Sequence, residues 1–201
     1  MIHEEFFSFV FNAASLSLLL EQPNSIIWIN LIDDALKEKS FPQGHMILNI
    51  GQTAEYIFYL REGAIKAYYL DRDNQQQTMY LWNRNSIVTD IDSYIKQQPS
   101  DLGIRVQTDA QLMTLHRTEL NRIIKEYPEA YQFINAILYH FFVYHRQQGI
   151  NNQIFSAEER MDKLLTTNRS LELHFSGREI ASHLHISHTY LYGLKKKKNI
   201  L

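Results

Sequence analysis

From Phe6 to Leu36 apolar residues recur every three or four positions, and the run breaks at "EQPNS", where Pro23 and Asn24 interrupt it. That spacing predicts two amphipathic helices. From Phe41 to about Leu115 the period drops to two, within short runs rich in Ile, Tyr, Phe, Val and Thr: "HMILNI", "YIFYL", "AIKAYYL", "QTMYLW", "IRVQT" and "QLMTLH". Turn-formers separate them: Pro42-Gln43-Gly44, Gly51, Glu62-Gly63, Asp71-Arg72-Asp73-Asn74 and Pro99-Ser100-Asp101. In "AIKAYYL", Ile65, Ala67 and Tyr69 fall on one face and Lys66, Tyr68 and Leu70 on the other. Short strands at this spacing predict an antiparallel sandwich or barrel.

Helical spacing returns after Leu115, through Leu120, Ile123, Tyr127, Ile134, Ile137 or Leu138, Phe141 and His145. Pro128 suits the first turn of a new helix and Gly149 a stop. Residues 129–148 then predict a helix about 30 Å long at 1.5 Å per residue. Its apolar girth exceeds one stripe, so two faces must be buried. One face is expected to cover the barrel. The other, carrying Ile134, Ile137, Leu138, Phe141 and His145, is expected to meet a second copy in a homodimer. The competing reading packs the whole girth inside one chain.

"NNQIFS" reads as a short hinge. Ser156 with Glu159, and Ser176 with Glu179, each fit the Ser-x-x-Glu capping box and mark two helix starts. Between them "SLELHF" reads as a short strand. In "REIASHLHISHTYLYGLKK", Ile180 and Leu184 sit one turn apart, as do Leu191 and Leu194, with Ile186 between the pairs and Ala181 small enough for two helices to cross steeply. That is helix–turn–helix patterning, with His185 at the turn position where glycine is usual. Ser187 is expected to cap the second helix and aim its positive end at a major groove. His188, Thr189 and Tyr192 then become candidates for reading bases. Ser176, Arg178, Ser187, Lys195 and Lys196 become candidates for phosphate contacts, which set position without reading sequence.

Charge sharpens this picture. The net −2 divides into −5 over residues 1–155 and +3 over residues 156–201, and four of the nine histidines lie in the latter segment. The sign change hints that only the C-terminal segment meets a polyanion. There is no cysteine, which removes disulfides, thiolate nucleophiles and cysteine-ligated metal centres. No apolar run reaches the roughly 18–20 residues of a membrane span, and "MIHEEFF" carries glutamates where a secretory signal carries basic residues. A cytoplasmic protein with no membrane partner is expected. His140 and His145 are five apart and share no helix face, and no catalytic triad, phosphate loop or HExxH stands in the sequence. No catalytic residue, metal or cofactor is therefore assigned, and the chain is not expected to be an enzyme.

The order of parts resembles the Crp–Fnr family of bacterial transcription regulators, from about Leu31 to Lys198. "FPQGHMILNIGQTAEYIFYLREGAIKAYYLDRDN" is similar to that family's opening strands, with Gly44, Gly51 and Gly63 at its glycine turns, and "REIASHLHISHTYLYGLKK" to its DNA-reading motif. The resemblance implies an α+β fold: N-terminal helices with an antiparallel double-stranded β-helix, jelly-roll-like, as the sensor barrel (together 1–118), a long dimerisation helix (119–150), and a winged-helix-like helix–turn–helix domain (151–201). It implies double-stranded DNA and a second copy of the chain as partners, with a small-molecule effector in the barrel. Gly193 stands where the family commonly has an arginine. In the cyclic-nucleotide cassette, Thr89-Asp90 replaces Gly-Glu and Ser100-Asp101 replaces Arg-Ser, with Arg105 four residues beyond. The implied effector site is degenerate, and cAMP binding in the usual manner is not expected. The alternative is a small-molecule-binding or scaffolding barrel that has lost DNA reading.

Overall fold

The computed structural model describes residues 3–168 and 170–198. Three helices open the chain, α1 (Glu4–Phe11), α2 (Ala13–Leu20) and α3 (Ser25–Ala35), where periodicity predicted two. The extra break is at Asn12, whose backbone takes φ +54° and whose side chain accepts from the Ser15 N–H to start α2. Asparagine tolerates that region and caps well. The buried faces of these helices bring Phe6, Phe7 and Trp28 onto the barrel, where Phe6 meets Tyr59 and Phe133 at ring separations of 5.4 and 5.8 Å.

Six strands follow: β1 (Lys37–Phe41), β2 (Met46–Leu48), β3 (Tyr56–Leu70), β4 (Gln76–Trp82), β5 (Ser86–Val88) and β6 (Gly103–His116), with α4 (Ile91–Lys96) before β6. All pairings are antiparallel, in the order β1-β6-β3-β4, with β2 on β6 and β5 on β3. "YIFYL" and "AIKAYYL", expected to be separate, form one strand of 15 residues. Glu62-Gly63 is a bulge in that strand, with register shifts between Leu60 and Ile65, and bulges bend a strand without ending it. Gly63 takes φ +94°, and a Cβ there would lie 2.5 Å from the Asp109 carbonyl oxygen. "IRVQT" and "QLMTLH" likewise merge into β6. The edge strand β1, "KEKSF", is exposed along most of its length, so no apolar alternation announced it.

The chain continues through α5 (Arg117–Glu126), a 3-10 turn (Pro128–Ala130) and the long helix α6 (Tyr131–Ile154). The helix runs through Gly149, contrary to the expected stop. A mid-helix glycine costs only about 1 kcal/mol relative to alanine, and the next helix start, at Ser156, fixes the end. "NNQIFS" therefore contributes only Phe155 and Ser156 to the joint. Beyond it come α7 (Ala157–Thr167), α8 (Leu171–His174), α9 (Gly177–His183) and α10 (His188–Lys197). The expected strand at "SLELHF" is the helical turn α8, and no strand follows β6 among the described residues.

Two cores result. The larger unites the barrel interior with α1–α3, α5 and the inner face of α6. The smaller holds Met161, Leu171, Phe175, Ile180, Ala181, Leu184, Leu191 and Leu194, and includes one barrel residue, Ala64 of β3. Lys66, two residues on, shares its outward face and is also buried. The outer face of β3 and β4 is covered because α9 lies on it.

Candidate nucleic-acid interface and effector cleft

Ser176 opens α9 with a complete capping box: its hydroxyl accepts from the Glu179 N–H at 3.3 Å, and Glu179 Oε2 accepts from the Ser176 N–H at 2.8 Å. The other carboxylate oxygen, Oε1, accepts from Lys66 Nζ of β3 at 2.6 Å. Burial alone would push the Glu179 carboxyl up, yet Lys66 and Ser176 together hold it below the usual range. Further along α9, Ser182 Oγ accepts from the Thr78 N–H at 2.8 Å and donates to Gln77 Oε1, and His183 Nδ1 donates to the Met79 carbonyl at 3.0 Å. Thr78 and Met79 lie on β4, the sheet edge, whose free backbone groups would otherwise lack partners. Burial lowers the His183 pKa to about 4, so the ring is neutral and serves as a donor. Helix α9 is thus a cover for a strand edge as well as half of a helix pair.

His185 supplies the turn with φ +56°, the left-handed backbone that the pattern required of it. Ser187 Oγ then accepts from the Tyr190 N–H at 3.1 Å and caps α10. Leu191 and Leu194 face the small core, while His188, Thr189, Tyr190, Tyr192 and Gly193 are exposed. All three base-reading candidates therefore share the open face of α10. Tyr190, 51% exposed, also lies on the surface of α10 and was not among the sequence candidates. The His188 ring leans over the start of α9, where a Cβ on Gly177 would lie 3.0 Å from Nε2.

The phosphate candidates separate. Arg178 is exposed and makes no ion pair among the described residues, and Lys196 is likewise exposed and unpaired. Lys195 instead pairs with Glu172, and Lys197 and Lys198 pair with Glu158 and Asp162 of α7. The lysine run is thus mostly neutralised by acids of its own domain. Ser176 and Ser187 are exposed but engaged as caps.

The dimer-seam residues also divide. Ile137 and Phe141 are buried against the chain's own barrel, and His145 Nε2 and the Tyr80 hydroxyl share a hydrogen bond at 2.5 Å. Ile137 and Phe141 are corrected from an intermolecular to an intramolecular face, because the barrel takes the stripe that they share, while His145 stays exposed. Ile134 is half-buried and Leu138 exposed, and the open apolar positions of α6 are Tyr131, Leu138, Tyr139, Phe142, Val143 and, at its end, Ile154.

Inside the barrel, a cleft of about 350 Å³ is lined by Leu48, Tyr56, Phe58, Ile104, Glu55, Thr89 and Asp90, among others. Asp90 caps α4, accepting from the N–H groups of Asp92 and Ser93, and takes a 2.5 Å hydrogen bond from Ser100 Oγ. Thr89 Oγ1 donates to the Tyr56 carbonyl. Two cassette positions are thus satisfied by each other. No lysine or arginine lines the cleft, and Asp101 and Arg105 lie outside it, both exposed. Arg105 is solvated: Ile104 points in, so Arg105 points out.

Residues 38–127 match the family profile of the cyclic nucleotide-binding domain. Among solved structures, FixK2 from Bradyrhizobium japonicum superimposes with a TM-score of 0.69 at 16% identity, covering 82% of this chain and 85% of its own. A transcriptional regulator of the Crp/Fnr family from Eubacterium rectale gives 0.69 at 17% identity, covering 89% and 87%. The Thermus thermophilus catabolite activator protein gives 0.54 at 15% identity, covering 94% and 86%. The search of curated proteins gave no match. No helix among the described residues is long and apolar enough to cross a membrane. The barrel is accordingly a domain of the cyclic nucleotide-binding family, and barrel, long helix and helix–turn–helix together give the chain the fold of the Crp–Fnr regulators.

Proposed function

We propose that the chain is a sequence-specific DNA-binding transcription regulator, acting in the cytoplasm as a homodimer and without enzymatic activity. The observation that carries this reading is the division of labour in the helix pair: α9 is fixed to the barrel, while the capped start of α10 presents His188, Thr189 and Tyr192 to solvent. Base readers must reach a groove, and phosphate contacts from Arg178 and Lys196 would set their register. The exposed aromatic and aliphatic side chains of α6, Tyr131, Leu138, Tyr139, Phe142 and Val143, supply the seam for a second copy. Segment 1–118 serves as sensor, 119–150 as coupling helix and 151–201 as reading head.

The effector is not a cyclic nucleotide held in the usual manner. The cleft carries the carboxylates of Asp90 and Glu55 with no cation beside them, and a lost charge-assisted contact to phosphate removes about 1.5–3 kcal/mol. A neutral or cationic small molecule suits the cleft better. DNA binding measured by fluorescence anisotropy over a salt series tests the reading. Arg178→Ala should weaken all duplexes alike and lower the salt slope by about 1, and Thr189→Ala should alter preference between sequences by about 1–3 kcal/mol. No salt-dependent affinity for any duplex refutes the function, and relaxed specificity from Arg178→Ala alone refutes the residue roles.

A further inference from the structure

At the joint between barrel and reading head, a cavity of about 280 Å³ opens between Leu81 of β4, Tyr144 and Asn151 of α6, Arg160 and Lys163 of α7, and His183 of α9. This is close to the lower end of the roughly 300–1,000 Å³ of small-molecule sites. Its chemistry is opposite to that of the barrel cleft. The lining holds two cations, Arg160 and Lys163, side-chain amides from α6 and from Asn168 just after α7, and no carboxylate. The acids of α7 are committed elsewhere: Glu158 and Asp162 to Lys197 and Lys198, and Glu159 to Ser156.

Arg160 is the unusual member. Its Nη1 donates to the Phe155 carbonyl at 2.9 Å and its Nη2 to the Leu184 carbonyl at 3.2 Å, while its Nε is buried without a hydrogen-bond partner. A guanidinium offers five donors, and here its recorded partners are two neutral carbonyls. Lys163 Nζ bonds only the amide oxygen of Asn151, at 2.9 Å, and lies 5.0 Å from the Phe155 ring centroid. A half-buried guanidinium without a counter-charge is costly unless an anion supplies one, its planar shape favours oxyanions with two acceptors, and the exposed Lys163 adds a second cation to the same lining.

We propose that this cavity is a binding site for a small organic oxyanion, a metabolite bearing a carboxylate or phosphate group, with Arg160 and Lys163 holding the charge and the amides of Asn151 and Gln148 its polar body. Because Arg160 already ties the α6–α7 joint at Phe155 to the helix–turn–helix at Leu184, an occupant would bridge the long helix and the reading head. The site does not depend on DNA binding, so its test stands apart from that of the proposed function.

The experiment titrates inorganic phosphate into the full chain without DNA, against sodium chloride at matched ionic strength, following side-chain amide and arginine Nε–H signals by NMR. One saturable site is expected, with Lys163→Gln raising the apparent Kd at least fivefold, Arg160→Gln abolishing binding and Arg178→Ala leaving it unchanged. Shifts that grow without saturation, or that chloride reproduces, overturn the proposal. So does wild-type affinity in Lys163→Gln, or loss in Arg178→Ala, which would put the ion on the outer face of the head. Should Arg160→Gln fail to fold, Lys163→Gln decides alone, since its exposed ammonium bonds only the amide oxygen of Asn151.

Discussion

Replacing Lys66 with methionine removes the cation that faces Glu179 across the barrel–head contact. Methionine is unbranched and shorter than lysine by one heavy atom, and it can remain under α9, so the loss is chiefly electrostatic. The side chains of Lys66 and Glu179 are 9% and 17% exposed, and stranding one member of a buried pair costs about 3–5 kcal/mol. Glu179 keeps two 2.8 Å hydrogen bonds from Ser176 and some contact with water, which lowers the expected loss to the bottom of that range or just under it, about 2–3 kcal/mol. For a chain of this size each kcal/mol lowers Tm by roughly 2–4 °C, so Lys66→Met should melt about 4–12 °C below the parent. Glu179→Gln should also destabilise, and the double variant should recover part of the summed loss, a coupling of at least about 1 kcal/mol. Differential scanning calorimetry of all four proteins measures this. Strict additivity, or a Lys66→Met shift under 1 °C, would show that the head is not docked through this pair.

Three further outcomes follow from other contacts. Gly63→Ala, at φ +94° with its Cβ 2.5 Å from Asp109 O, should lose about 2–5 kcal/mol in denaturant unfolding, whereas Gly51→Ala, at φ +85° with nothing within 4 Å, should lose about 1–2; equal losses would contradict the bulge. His183 has its pKa lowered by burial from 6.5 to about 4, so the unfolded chain binds its proton first: stability is full above about pH 6.5 and falls, by up to about 3 kcal/mol, as pH drops toward 4. His183→Gln should flatten that acid limb in pH-dependent unfolding, and an unchanged slope would clear His183 of the role. Phe142→Glu, at a position 61% exposed on α6, should convert a dimer to monomer in sedimentation analysis with little change in monomer stability; a persisting dimer places the seam elsewhere.

The parts that sequence revealed are those where periodicity and capping act locally. Both capping boxes, the buried Ile180, Leu184, Leu191 and Leu194, and the left-handed His185 could be read from spacing because each needs only its neighbours along the chain. What stayed hidden depended on remote partners. Lys66 alternates as a solvent-facing strand residue and is buried because α9, more than a hundred positions away, covers it. Ile137 and Phe141 look no different in sequence from Leu138 and Phe142, since a helix apolar on two faces does not say which one the barrel takes. Glu62-Gly63 carries turn chemistry, and only pairing with β6 makes it a bulge. Lys195 looked like a phosphate ligand because Glu172, its partner, lies in a segment that strand-like composition disguised.

Selection of binding sites from a random duplex pool, carried out with the full-length chain at several salt concentrations, bears most directly on the account. A reading head exposed on α10 and doubled by α6 predicts enrichment of an inverted repeat whose half-sites lie one helical turn, about 10 base pairs, or a multiple of it apart, with affinity falling steeply as salt rises. A pool that stays random at every salt concentration would contradict it.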